Sequence, residues 1–397
     1  MANEVDVFAR FLRLGLTSFG GPIAHLGYFR REFVERAKWL DDAAFGELVA
    51  LCSVLPGPTS SQVGILLGLR RAGWPGALLA WLGFTLPSAL ALAALGILLR
   101  SSPGAHVPLQ GGMTRGLVAA AAAVVLWAVI ALARTLVTTP GTAAIAVGAF
   151  GIGLAVDVVT PGYQWIALVA GGVAGAFGAP VPLPRSAPFL RVSHRTAAYA
   201  GGIFALLLFG LPIVAPPGSP LALFAFFFRA GSLVFGGGHV VLPFLQSAIG
   251  TLVSEPTFFA GYGAAQAVPG PLFAFSAFLG TAGGDVASAA IALAGIFAPS
   301  FLLLAATVPL WRGLRELPRA GAALAGVNAA VVGLLAAVFC HPIATSLVRS
   351  RDTALVALVA FAVLARTRVP AWAVVIGCVV VAGALAFAGH SPPLRMR

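Results

Sequence analysis

RLGLTSFGGP, residues 13–22, returns 216 residues later as RAGSLVFGGG, residues 229–238. The likeness continues outward in register. Pro56-Gly57-Pro58 recurs as Pro269-Gly270-Pro271, Pro87-Ser88 as Pro299-Ser300 and Gly116 as Gly326, while the offset drifts from 216 through 213 and 212 to 210. Landmarks kept in one order over such a span mark a tandem duplication, with halves at residues 1–195 and 196–397.

The composition says what kind of solvent these halves meet. Of 397 residues, 59% are apolar and 9% charged, and mean hydropathy is +0.99. A soluble fold would lack the charge that keeps its surface in water, so the chain reads as an all-α polytopic membrane protein. Hydrophobic stretches run at about 5–28, 43–69, 75–99, 116–137, 140–159, 163–179, 197–216, 221–249, 257–280, 285–311, 322–345, 352–365 and 370–388, about 13 in all. The net charge of +12 falls mostly in short loops, where it sets orientation and does not point to nucleic acid. Lys38 is the one lysine, so the bias toward arginine is compositional. Cys52, Cys340 and Cys378 stand singly in apolar runs without metal or redox spacing. The opening MANEVDVFAR carries acids where a signal peptide needs bases, so no cleavage is expected.

Charge also tells the two halves apart. Arg30, Arg31, Arg36, Lys38, Arg70 and Arg71 lie between Leu14 and Leu99, whereas residues 230–311 hold no Lys or Arg. Basic loops stay cytoplasmic, so equivalent loops are expected on opposite sides: the repeats have inverted topology. With 30–38 and 70–71 both cytoplasmic, segment 43–69 must leave the membrane where it entered. It has two arms of some dozen residues around Pro56-Gly57-Pro58, which suits a re-entrant hairpin, and segment 5–28, broken at Gly20-Gly21-Pro22, follows the same logic.

Non-helical backbone at membrane depth is tolerated where it is buried in protein or lines a wet cavity, so matched breaks in inverted repeats point to a central site. Pro22, Pro58 and Pro271 are expected at new helix starts, whose free N–H groups and positive dipole ends attract anions. Gly20, Gly21, Gly236, Gly237 and Gly238 let backbone approach a ligand, and Thr59, Ser60 and Ser61 add hydroxyls. Arg13 and Arg229 lie in apolar segments seven residues before their breaks, a pair of guanidinium groups suited to a small dianion with several acceptor oxygens. His25, His239 and Glu47 are candidates for proton coupling. Pro56, Gly57, Pro269 and Gly270 complete the candidate substrate-binding set, with no catalytic or metal-ligating group in it.

These stretches resemble a known family. FLRLGLTSFGGPIAHLGYFRREFVERAKWLDDAAFGELVALCSVLPGPTSSQVGILLG, from Phe11 to Gly68, resembles the first-repeat signature of the chromate ion transporter family. FRAGSLVFGGGHVVLPFLQ with AVPGPLFAFSAFLG resembles the second. The likeness covers essentially the whole chain and is closest to the two-domain, long-chain members. The family's motif positions fall on Arg13, Gly15, Phe19, Gly20, Gly21, Pro22, Pro56, Gly57 and Pro58, then on Arg229, Gly231, Phe235, Gly236, Gly237, Pro269, Gly270 and Pro271. Gly238 departs from the pattern, standing where the first repeat has Pro22. The resemblance implies export of chromate, a tetrahedral dianion similar to sulfate, across the bacterial inner membrane, giving chromate resistance.

The resulting expectation is a multi-pass secondary transporter of the bacterial plasma membrane, not an enzyme. One repeat rocks against the other, and chromate or a similar oxyanion and the lipid bilayer are its partners. No cofactor is expected, and the oligomeric state stays open, a homodimer included. Uptake or exchange of sulfate or another anion by the same fold is the alternative. A membrane-embedded enzyme acting on lipid phosphates ranks below it, because no acid, base and nucleophile converge in the sequence.

Overall fold

A computed structural model describes residues 2–100, 108–155, 163–179, 181, 192–235, 238–311, 313, 317, 319–348 and 350–389. Gly236, Gly237 and most of the basic, proline-rich stretch at 180–195 lie outside the described residues. Among the described residues the chain is helical, with one isolated bridge between Ile249 and Val253.

In the first half, α1 (Ala2–Thr17) and α2 (Gly21–Phe29, running on through a wide turn at Arg30–Arg36) precede α3 (Asp42–Val54) and α4 (Thr59–Arg100). Then come α5 (Pro108–Leu136), α6 (Pro140–Ala155) and α7 (Tyr163–Ala176). The second half holds α8 (His194–Ala205), α9 (Pro220–Leu233), the short α10 (Val241–Leu245), α11 (Glu255–Ala265) and α12 (Phe275–Gly283). It ends with α13 (Val286–Thr307), α14 (Ala320–Val338), α15 (Arg351–Arg366) and α16 (Ala371–Phe387).

The starts of these helices are written locally. Asp41 accepts from the Ala44 N–H at 2.8 Å, Ser219 from Ala222 at 3.1 Å and Asp285 from Ser288 at 2.7 Å. Each cap supplies an acceptor to a first-turn amide that no helical carbonyl can reach. Pro22 falls in the first turn of α2, as expected. Pro58 and Pro271 instead stand one residue earlier, as capping residues: the Pro58 carbonyl accepts from Gln62 at 2.9 Å and the Pro271 carbonyl from Ala274 at 3.0 Å.

Among the described residues five helices are long and apolar enough to cross a membrane: Thr59–Arg100, Gly111–Leu136, His194–Val214, Val286–Thr307 and Ala320–Ala344. The chain is accordingly a polytopic membrane protein. The first of the five is two helices, because Ala72 (φ −145°) and Gly73 (φ 64°) break it. Its arm 59–71 and the 13-residue α3 are each about 20 Å long at 1.5 Å per residue, against a hydrocarbon core of about 30 Å. The second half repeats this plan, with α11, a Pro-Gly-Pro turn and α12, then a break at Gly284-Asp285 before α13.

Helix packing is alike in the two halves. Val7, Phe11, Leu14, Gly15 and Ser18, on one face of α1, are buried against α4. A β-carbon at Gly15 would stand 2.6 Å from the Gly83 carbonyl oxygen, so the two backbones touch. In the second half α9 packs on α13 in the same way, and a β-carbon at Gly295 would meet the Phe224 carbonyl at 2.9 Å. The last helices of each half cross over: α6 and α7 lie on α14, while α15 and α16 lie on α5. The two halves are therefore interlocked.

One end of the first half carries an ion network. Arg10 pairs with Asp6 at 2.7 Å and with Glu32, Arg36 approaches Glu32 at 3.6 Å and Arg71 approaches Asp6 at 4.0 Å. The Arg71 guanidinium also stands 5.3 Å over the Trp39 ring. Residues from the start of α1, the end of α2, the loop before α3 and the break in α4 thus meet at one place.

Candidate substrate site

The two Pro-Gly-Pro turns reach across to the opposite half. Gly57 donates its N–H to the Val234 carbonyl at 2.7 Å, and Gly270 donates to the Ser18 carbonyl at 2.9 Å. Ser18 and Val234 occupy equivalent positions just before the two glycine breaks. Gly57 and Gly270 have φ of 123° and 105°, which an L side chain resists. Space resists it too, because a β-carbon would stand 2.8 Å from the Ser300 hydroxyl at Gly57 and 2.8 Å from the Ser88 hydroxyl at Gly270. Ser88 and Ser300 are again equivalents. Between these contacts Pro22 faces Gly238, with its Cγ 3.7 Å from where a β-carbon of Gly238 would lie.

Around this junction several buried polar atoms have no partner among the described residues. They include the hydroxyls of Ser18, Ser61, Thr85 and Ser300 and Oε1 of Gln62; His25 Nε2 has no side-chain partner and lies near the Ser18 backbone. An unsatisfied buried polar group costs about 1–3 kcal/mol, so these groups are chemically able to hydrogen-bond a polar ligand. Helix geometry adds to the set. The Pro58 carbonyl takes the Gln62 amide, leaving the first-turn amides of Thr59, Ser60 and Ser61 without intrahelical acceptors. Gln62 spends its Nε2 on the Pro56 carbonyl at 2.6 Å, bracing the turn.

His25 points into this group from α2. Its Nδ1 lies 3.2 Å from the Ser60 hydroxyl and its ring meets Phe84 edge-on at 5.2 Å between centroids. His239 is placed differently, with Nδ1 3.0 Å from the hydroxyl of Tyr262. The two histidines, near-equivalent in sequence, therefore have different partners. Glu47 sits midway along α3, nine residues before Pro56, with one buried carboxylate oxygen unpartnered.

The arginines are not brought together as equivalents. Arg13 is exposed, on the face of α1 opposite its packing against α4. Arg229 is half-buried, with its guanidinium 5.4 Å over the ring of Trp165 on α7. Neither has an ion-pair partner among the described residues. Gly20 (φ 99°) and Gly21 (φ 78°) form the left-handed turn into α2, and a β-carbon at Gly21 would meet only open space.

Sequence reasoning did not single out Ser18, Thr85, Ser300 or Trp165. The Pro-Ser pairs were visible as repeat landmarks, and that recurrence was the available signal for Ser88 and Ser300. Nothing in the sequence marked Trp165 as the neighbour of Arg229.

Comparison with known proteins bears on what such a junction serves. The profile of the chromate transporter family matches residues 5–176 and again residues 221–384. The chromate transport protein of Pseudomonas aeruginosa is 32% identical over 342 residues, covering 84% of this chain and 79% of that one. That of Cupriavidus metallidurans is 30% identical over 360 residues, covering 89% and 86%. The probable chromate transport protein of Synechococcus elongatus is 29% identical over 336 residues, covering 82% and 81%. No solved structure matches the chain. The family is one of transporters, not enzymes, and a multi-pass place in the bacterial plasma membrane fits it. With both halves matched and its length shared with these relatives, the chain belongs to the chromate transporter family.

Proposed function

We propose that this protein is a secondary transporter that exports chromate across the bacterial plasma membrane and so gives chromate resistance. Its two halves, 1–195 and 196–397, are inverted repeats whose re-entrant hairpins meet at the substrate. The observation that carries this reading is the reciprocal pair of hydrogen bonds, Gly57 to Val234 and Gly270 to Ser18. Contacts exchanged between equivalent positions have the form of a two-fold arrangement, and the charge asymmetry of the loops puts that axis in the membrane plane.

Chromate is recognised in this reading mainly by neutral donors. The amides of Thr59, Ser60 and Ser61 at the α4 start, the hydroxyls of Ser18, Ser61 and Ser300, and His25 Nε2 surround a tetrahedral dianion at the positive end of a helix dipole. Neutral donors fit a transported anion, because they bind without the tight hold of a buried ion pair and release on the other side. Arg229, half-buried and unneutralised, raises the local potential from α7's flank. Arg13 adds charge near the membrane surface.

The interlocked packing supports a particular way for access to alternate. The broken elements α1–α4 and α9–α13 form a core, and α5–α7 with α14–α16 form a frame to which both halves contribute. Motion of core against frame replaces rocking of one half against the other. The direct test is labelled-chromate flux in proteoliposomes. Unlabelled chromate should block it far better than sulfate; equal or better block by sulfate would transfer the reading to a sulfate carrier.

A further inference from the structure

The ion network of the first half has a counterpart that is a hole. A cavity of about 420 Å³ opens among α9, the 250–252 turn, α12 and α13, and Ala222, Phe226, Leu252 and Gly283 line it. At the offsets of the repeat, 216 in α9 and 212–213 beyond it, those four are the equivalents of Asp6, Arg10, Trp39 and Arg71. In one repeat the position is plugged by two ion pairs and a cation–π contact; in the other it is empty of such contacts and lined by small and apolar groups. Asp285 at the rim is engaged in capping α13 through Ser288.

We propose that the Asp6–Arg10–Glu32–Arg71 network is the cytoplasmic gate of the transporter and that the cavity is the corresponding gate on the outer face, standing open. The inference rests on the inverted-repeat reading above. In a transporter built from inverted repeats, a structural difference between equivalent places describes the two access states, because each repeat adopts the other's arrangement when access switches. With the network closed here, the proposal assigns this structure to the outward-facing side of the cycle. Whereas Glu32 is buried, with its side chain 10% exposed, the Asp6 pairs are partly exposed, with side-chain exposure of 33% for Arg10 and Asp6 and 39% for Arg71. Such pairs hold weakly, which suits a contact broken and remade in each cycle. The second-repeat gate carries one acid, Asp285, which caps α13 and lies within electrostatic reach of Arg100, and it closes by apposition of Ala222 and Phe226 with Gly283.

The test uses the full chain with its cysteines replaced (Cys52→Ala, Cys340→Ser, Cys378→Ala) and a reporter, Ala287→Cys, at the cavity. Neutralising the network with Asp6→Asn and Glu32→Gln together should slow maleimide labelling of the reporter at least fivefold, as the population shifts toward the inward-open form. Asp6→Asn alone should give a smaller slowing and serves if the double variant does not fold. In a separate protein, a reducible bis-methanethiosulfonate cross-link spanning Asp6→Cys and Arg71→Cys should stop transport until reduced while chromate binding, measured by equilibrium dialysis, persists. Unchanged labelling in a variant that binds chromate as wild type does would overturn the gate. Slowed labelling in protein that never binds chromate would uphold the gate and overturn the cargo.

Discussion

Gly57 and Val234 are joined by a 2.7 Å hydrogen bond from the tip of the first Pro-Gly-Pro hairpin to the residue two before the second glycine break. With its partner bond from Gly270 to Ser18, it fixes where two interrupted helices of one half meet two of the other. Gly57→Ala should therefore remove more than one contact. The positive φ costs about 1–3 kcal/mol, and the new methyl also collides with Ser300. Transport should fall at least tenfold and the melting temperature in detergent should drop; Gly270→Ala should do the same through Ser88. Wild-type melting and flux in both variants would contradict the role of the crossed bonds.

Ser60→Ala and Ser61→Ala should each weaken chromate binding about tenfold, the scale of one hydrogen bond to a charged group at about 1.5 kcal/mol. Ser53→Ala, whose hydroxyl is bonded within its own helix to Val49, should have no effect. Equilibrium dialysis of labelled chromate against purified protein reads the difference.

His25→Ala should lower affinity as well as remove the Ser60 contact, because Nε2 is a donor without a side-chain partner. His25→Asn, which keeps a donor, should recover part of the loss. His239→Ala, with its partner Tyr262, should leave the binding constant near wild type. If His239→Ala weakens binding more than His25→Ala, the site lies nearer the second hairpin.

Arg229→Gln should reduce flux more than Arg13→Gln. The first removes a half-buried cation stacked on Trp165, the second an exposed one. Trp165→Leu should mimic part of the Arg229 effect. Vesicle uptake of all three, normalised to inserted protein, makes the comparison; equal loss from both arginine variants would restore a symmetric pair of charges.

Much of this was legible because the breaks are punctuated by residues with few alternatives. Gly57 and Gly270 occupy backbone angles and spaces that exclude a side chain, so the duplication preserved them while the helices between diverged. The short arms around them were readable from length alone. Arg13 was harder. Counting seven residues back from Gly20 put it on the break's face, but α1 ends at Thr17, and the face that packs on α4 is that of Phe11, Leu14 and Gly15. The crossing of α6 and α7 onto α14 left no trace in hydropathy, because lipid-facing and protein-facing apolar residues look alike. The orphan hydroxyls of Ser18, Thr85 and Ser300 come together only through the tertiary fold.

The central claim is that the two hairpin sets enter from opposite sides. Single cysteines at Ala37→Cys and Thr251→Cys, in the cysteine-free chain, can be labelled in intact cells with a membrane-impermeant maleimide before and after permeabilisation. The account predicts that Thr251→Cys reacts in intact cells and Ala37→Cys only after permeabilisation. Reaction of both under the same condition would place the loops in one compartment and contradict it.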